Sequence, residues 1–255
     1  HGNAGAYNAI YQAAVSYTTE VDLRPYHLDW NTFYEECNEA IDDVYEFDPD
    51  GPYRHFSFDT TRKTNNEVAR LTIGYKYLNG ADVNIKREQY KNLRSAIKII
   101  VGETVTDDMS DYDKVKALHD YLVLNNEYDM RLYSGNMPHI SYTAYGAILE
   151  HTSVCAGYAY AYEMLLQEAG VPVEYVRNSN HAWNIVQIDG EWYHVDTTWD
   201  DPTPDRKGCV RYDYLLRSDS FMARDYSKWT ASHTCPSTKY DNTTVLNDEE
   251  KKQQE

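Results

Sequence analysis

Between residues 110 and 125, apolar side chains recur at Val115, Leu118 and Leu122, a spacing that predicts a helix with one buried stripe. Ser110 followed by Asp113 resembles a capping box at its start, with aspartate in place of the usual Glu or Gln. His119 sits beside the stripe and reads as a structural histidine. A second helix is predicted after Cys155, where Tyr158, Tyr162, Leu165, Leu166 and Ala169 mark an inward face. Gly170 is its C-cap and Pro172 follows; Thr152 or Ser153 is the expected N-cap, which places Cys155 in the first turn. Upstream, "YNAIYQAAVSY" and "DWNTFYEECNEAIDDVY" read as helices, the second ending before the turn former "DPDGP". "RHFSFDT" and "EVARLTIGYKY" read as strands, and "REQYKNLRSAIKIIVG" as a helix stopping at Gly102. No internal repeat or Gly/Ser linker breaks the chain, which is parsed as an N-terminal accessory region (1–104), a core (105–240) and a charged tail (241–255).

The most specific pattern is "NHAWNIVQIDGEWYHVDTTW", two strand-like runs flanking Asp189-Gly190, a dipeptide suited to a two-residue type I′ turn. If those residues form the turn, Ile188 faces Glu191. Counting back, His181 faces Thr198 and Trp183 faces Asp196. Facing residues share a side of the sheet, so His181, Trp183, Trp192, His194, Asp196 and Thr198 project together. His181 and Asp196 become diagonal neighbours within side-chain reach. His194 lies opposite Ile185, too far along to share that carboxylate, so His181 is the better base.

Composition narrows the function classes. The chain has 255 residues, a size for one large domain or a core with an elaboration. With 24 Lys+Arg against 41 Asp+Glu the formal charge is −17, which argues against nucleic acid or an anionic membrane as the main partner. No apolar run reaches membrane-spanning length. The first residues, "HGNAGAYNAI", lack the basic and apolar regions of a signal peptide. Tyrosine is abundant at 25 residues, suiting packing and also grooves that hold peptides or sugars. Four cysteines, Cys37, Cys155, Cys209 and Cys235, contain no C-x-x-C pair, so a structural zinc site is not expected; a Cys209–Cys235 bridge is weighed as the minority outcome.

A cysteine at a helix N-terminus, where free N–H groups and the positive dipole end stabilise a thiolate, has its own chemistry. Joined to a histidine and an aspartate on one sheet face, it makes a nucleophile, a base and an orienting carboxylate. Each residue alone is more often structural; their joint arrangement favours catalysis. The segments "SVCAGYAYAYEMLLQEAGVP" and "HAWNIVQIDGEWYHVDTTWDDP" resemble the core of the transglutaminase-like superfamily, especially its bacterial branch. Its pattern sets Cys in G-V-C-x-G-[YF]-A, His in H-A-W-N and Asp in W-Y-x-V-D-x-T-W, positions that match Cys155, His181 and Asp196. Ser153 stands where glycine is common. "ALHDYLVLNNEYD", "AYGAILEHTSVC" and "YDYLLRSDSFM" extend the likeness over about residues 105 to 225.

The resemblance implies an α+β, papain-like core with a Cys-bearing helix packed on an antiparallel sheet, beside an N-terminal α/β accessory region. It also implies acyl transfer through a Cys155 thioester, resolved by an amine (crosslinking) or by water (peptidase, amidase or deamidase). Tyr145, Trp183 and Trp199 are the expected oxyanion or substrate-lining residues, besides the Cys155 N–H; Trp183 is alternatively a wall. No cofactor is expected. Calcium at Asp200, Asp201 and Asp205, known in some family members, is weighed against turn formation and a solvated surface, and the latter is favoured. The expected partner is a peptide or protein, associated with a bacterial cell wall and met outside the cell or at its surface. Asn242-Thr243-Thr244 is a formal glycosylation sequon. The competing function is a non-catalytic module presenting a tyrosine-rich groove to cell-wall peptide or glycan. A metal hydrolase is a weak third, since no H-E-x-x-H occurs, and there is no G-x-S-x-G, P-loop or dinucleotide fingerprint.

Overall fold

The computed structural model describes residues 3–47, 53–60, 67–76 and 83–242. The expected "DPDGP" turn, the tail from residue 243 and the last two sequon residues lie outside the described residues. The chain divides into two compact units, His1–Asn92 and Leu93–Glu255.

In the first unit, α1 (Ala4–Val15) and α2 (Trp30–Phe47) accompany a three-stranded antiparallel sheet. Its strands β1 (Glu20–Asp22), β2 (Tyr53–Thr60) and β3 (Val68–Lys76) run in the order β1-β3-β2. Ile10, Leu23, Phe33, Leu71 and Ile73 are buried here, the alternating Leu71 and Ile73 fitting a half-buried strand. The helix expected to stop at Gly102 runs on: α3 spans Val83–Thr104. Nothing lies within 4 Å of a Cβ at Gly102, and its backbone is not left-handed. The glycine therefore weakens an exposed turn by about 1 kcal/mol without ending it.

In the second unit, α4 (Asp111–Asn125) starts with the expected reciprocal cap, Ser110 Oγ accepting from the Asp113 N–H and Asp113 Oδ2 from the Ser110 N–H, both at 3.1 Å. Strand β4 (Glu127–Tyr128) pairs in parallel with β5 (Thr152–Ser153), and the short α5 (Ala144–Ile148) lies between them in sequence. Helix α6 (Cys155–Glu168) ends in a Schellman motif. Gly170 has φ +77°, the Gly170 N–H donates to Gln167 O at 3.1 Å, and the Val171 N–H to Leu166 O at 2.9 Å. The sheet order is β6 (Val173–Arg177), β7 (Ala182–Ile188), β8 (Glu191–Val195), β9 (Leu215–Arg217), antiparallel throughout, followed by α7 (Asp219–Met222).

Two departures from the sequence reading shape the site. First, α6 is buried nearly all round, Ala159, Tyr160, Ala161 and Met164 included, because α4 and α5 pack on it as well as the sheet. Tyr162 donates its hydroxyl to Val115 O at 2.8 Å, tying α6 to α4. Second, β7 is buried on both faces rather than one. Asn184 donates to Ala159 O at 3.0 Å on the α6 side. On the opposite face, Trp183 and Ile185 join Met222, Tyr226 and Cys235 in one cluster. The segment after β9 thus closes the sheet.

Candidate active site

The hairpin forms in the expected register: Ile188 pairs with Glu191, Ile185 with His194 and Asn184 with Val195. Asp189 (φ 51°) and Gly190 (φ 82°) both take the left-handed conformation that a type I′ turn requires. A register irregularity falls between β8 and β9, beside His194 and Val195, and leaves the hairpin itself regular. His181 and Asp196 lie just beyond the ladder, on its diagonal, and His181 Nε2 meets Asp196 Oδ2 at 2.5 Å.

Asp196 is fully buried. Its Oδ2 also accepts from the Tyr226 hydroxyl at 2.6 Å, and its Oδ1 from the Trp199 N–H at 3.0 Å. Three donors leave the carboxylate one orientation. His181 is held at its backbone by Asn178 Oδ1, which accepts the His181 N–H at 2.9 Å. Burial opposes a charged imidazole here. The Asp196 charge and hydrogen bond, and then the adjacent Cys155 thiol, outweigh it and raise His181 to about 10. With Nε2 committed to Asp196, Nδ1 is the ring nitrogen left for Cys155.

Cys155 opens α6, half-buried. Thr152 and Ser153, expected as caps, are instead strand residues of β5, and the Ser153 hydroxyl accepts from Asn126 Nδ2 at 2.7 Å. The N-cap is Val154, which offers no side-chain acceptor, so the first-turn N–H groups around Cys155 stay open. Close packing fixes that turn. A Cβ on Gly157 would sit 2.6 Å from Ser153 Cβ and 2.9 Å from the carbonyl oxygens of Ser141 and Thr143. Backbone oxygens cannot yield, so Gly157→Ala is expected to destabilise the fold by about 1–3 kcal/mol. It should also slow Cys155 alkylation; a thermal midpoint and an alkylation rate both at wild-type values would contradict this.

The other expected site residues divide. Trp183 is no oxyanion donor: its indole N–H is spent on His194 Nδ1 at 2.9 Å, and its ring stacks on His181 with centroids 5.6 Å apart. Trp183 is the wall. Trp199 is nearly half exposed and, with His181, Tyr128, Tyr133 and Tyr214, lines a cleft of about 490 Å³. Tyr145, half-buried on α5, is outside that lining. Burial, and then the nearby Cys155, push the Tyr128 hydroxyl up to about 12, which marks Tyr128 as a neighbour of the thiol. Tyr128, Tyr214 and Tyr226 were not singled out from the sequence. The 25 tyrosines carry no spacing that separates these from packing residues.

The acidic run after Trp199 is not solvated surface. Asp200 and Asp201 are both buried. Asp200 Oδ2 meets His119 Nε2 at 2.9 Å, and Oδ1 accepts from the Tyr214 N–H at 3.0 Å. Asp201 accepts from the Tyr158 hydroxyl, and burial pushes its carboxyl up to about 7. His119 is fully buried between Asp120 and Asp200; burial opposes its charge, but the two carboxylates prevail and raise it to about 9. Asp205 is exposed. Among the described residues, the group with ligand atoms close enough for a metal ion is not this one but His194, Asp219 and Cys235. The four cysteines are free thiols, so Cys209 and Cys235 form no bridge.

Residues 99–197 match the model of the transglutaminase-like superfamily, and over that stretch the chain resembles its members. The core is α+β, with the Cys-bearing helix packed on an antiparallel sheet. Mouse (Mus musculus) kyphoscoliosis peptidase is 23% identical over 123 residues, which are 42% of this chain and 18% of that protein. The chain thus spans less than a fifth of the length of this curated relative. Among solved structures, a TGase aligns at 18% identity over 68% of this chain and 49% of that one, with a TM-score of 0.39. A Cytophaga hutchinsonii protein assigned as a cysteine protease aligns at 16% identity over 60% of this chain and 64% of that one, with a TM-score of 0.35.

Proposed function

We propose that the protein is a cysteine-dependent acyl-transfer enzyme acting on peptide or protein amides, with Cys155 as nucleophile, His181 as acid–base group and Asp196 as orienting carboxylate. The observation that carries this reading is the His181–Asp196 hydrogen bond beside a cysteine at an uncapped helix start. Cys155 passes its proton to His181 and attacks the amide carbonyl. His181 returns the proton to the departing amine, the C–N bond breaks, and a Cys155 thioester remains. Water or a second amine then adds to the thioester with His181 as base. The open N–H groups of the first α6 turn, that of Cys155 first, are positioned for the oxyanion, a contribution of about 10²–10³ in rate per donor in comparable sites. The aromatic cleft supplies apolar walls for a polypeptide, and bacterial cell-wall peptide fits the same chemistry.

The test is mass spectrometry of the intact chain with iodoacetamide near neutral pH, then with peptide donors, with and without a primary amine. Cys155 is expected to react first, since burial pushes the Cys37 thiol up to about 12 and the Cys235 thiol further. Peptides should leave an acyl mass on Cys155 that the amine or water removes. Loss of turnover in Cys155→Ala is expected. Ligand affinity unchanged in Cys155→Ala, with no acyl adduct or product in the wild type, would instead identify a binding module.

A further inference from the structure

Trp183 and His194 form the next rung on the same face of the diagonal that carries His181 and Asp196, shifted by two residues along each strand toward the turn. The Trp183 indole N–H donates to His194 Nδ1 at 2.9 Å, and His194 Nε2 lies 2.8 Å from Asp219 Oδ1. An indole nitrogen only donates, so Nδ1 must present its lone pair. The His194 ring is therefore neutral, with its proton on Nε2 and donated to Asp219. Burial favours the same neutral state, against the charges of Asp219 and the more distant Asp196. Asp219 is itself fixed at both ends: its Oδ2 accepts from the Cys235 N–H at 2.8 Å, and its own N–H donates to Cys235 O at 2.7 Å.

The indole held in this way touches both halves of the acid–base pair. It stacks on His181, with ring planes 22° apart, and meets Tyr226 edge-on at 4.9 Å between centroids. Tyr226 is the residue that donates to Asp196. Trp183 and His194 are fully buried, so no water substitutes for either partner.

We propose that His194 is a positioning residue for the His181–Asp196 pair, acting through the Trp183 indole that it locks by a single tautomer. Asp219 completes the device by accepting the proton that fixes the tautomer. The proposal rests on the triad described under the proposed function. It also decides the chemistry of a second arrangement. His194, Asp219 and Cys235 bring ligand atoms within 4.8 Å of one another, as a metal ion requires. A cation on Nε2 would drive the ring proton to Nδ1, against the indole N–H. The hydrogen-bonded and metal-bound states exclude each other, and the Trp183 contact selects the first.

The experiment measures the rate of Cys155 alkylation against pH, on the full chain. His194→Phe keeps a ring but loses both hydrogen bonds; Trp183→Phe keeps the stack but loses the N–H. Each is expected to slow alkylation near neutral pH by about tenfold and to displace the pH profile, and the double variant should be no slower than either single one. His194→Gln, whose amide oxygen accepts from the indole while its nitrogen donates to Asp219, should stay within about threefold of wild type. A folded His194→Phe with wild-type rate and profile would overturn the proposal, as would multiplicative losses in the double variant. So would one Zn²⁺ bound per wild-type chain and lost in Cys235→Ala. Should His194→Phe not fold, a slowed Trp183→Phe beside a near-normal His194→Gln supports the proposal, and an unaffected Trp183→Phe overturns it. Failure of the wild type to alkylate selectively at Cys155 would defeat the functional reading itself, a result separate from any of these.

Discussion

Asp196→Asn is expected to leave the chain folded and to lower turnover of a peptide amide by about three to four orders of magnitude, as in other triads whose orienting carboxylate is made neutral. The carboxylate accepts on both oxygens, from His181 and Tyr226 on one and from the Trp199 N–H on the other. An amide NH₂ must face a donor whichever way it turns. If it faces His181, Nε2 gives up its proton and Nδ1 acquires it, so the ring no longer presents a lone pair to Cys155. If it faces the Trp199 N–H, the loop after β8 must shift. Both routes remove the charge that holds His181 up at about 10. The check is the pH dependence of Cys155 alkylation together with turnover: the variant thiol should lose its enhanced reactivity near neutral pH. Turnover within tenfold of wild type would contradict the assigned role.

The second large effect concerns stability. His119→Leu should cost about 3–5 kcal/mol, because it leaves the buried Asp200 carboxylate without its counter-charge. Asp200 also binds the Tyr214 N–H, its own N–H donates to Asp196 O, and its carbonyl accepts from the Arg211 N–H. Loss of His119 therefore loosens the loop that presents Asp196, and a slower Cys155 reaction should accompany the lower urea midpoint. The wild type carries the pH signature of this pair. His119 is raised to about 9 in the fold, against an ordinary value of 6.5. Its contribution is fully present below pH 6.5 and is lost as pH rises through about 9. His119→Leu should show no decline from this source, and a wild-type-like decline in that variant would refute the assignment.

The hairpin was legible because an Asp-Gly turn sets register by counting, and register alone put His181 and Asp196 on one diagonal. Cys155 at a helix start was legible from the periodicity that follows it and from Gly170. Interactions between distant segments were not. Tyr226 reaches Asp196 only because the segment after β9 returns across the sheet, and nothing local marks that return. Asp200 and Asp201 sit in a Pro-containing acidic loop that reads as surface. Their burial depends on His119 and Tyr158, which stand on two different helices. Thr152 and Ser153 have the composition of caps, but the parallel pairing of β5 with β4 claimed them for a strand. In each miss a tertiary partner overrode a local preference.

That last substitution has a consequence for how the protein responds to what it binds. Because no side chain closes the amino end of α6, the helix is built one acceptor short. On the proposed chemistry, the missing acceptor is the oxygen of the acyl group under attack. The substrate then finishes the helix, and secondary structure and reaction coordinate share one hydrogen bond. A peptide aldehyde, which Cys155 converts to a tetrahedral hemithioacetal, should therefore protect the amides of the first α6 turn from hydrogen exchange more than any other part of the core.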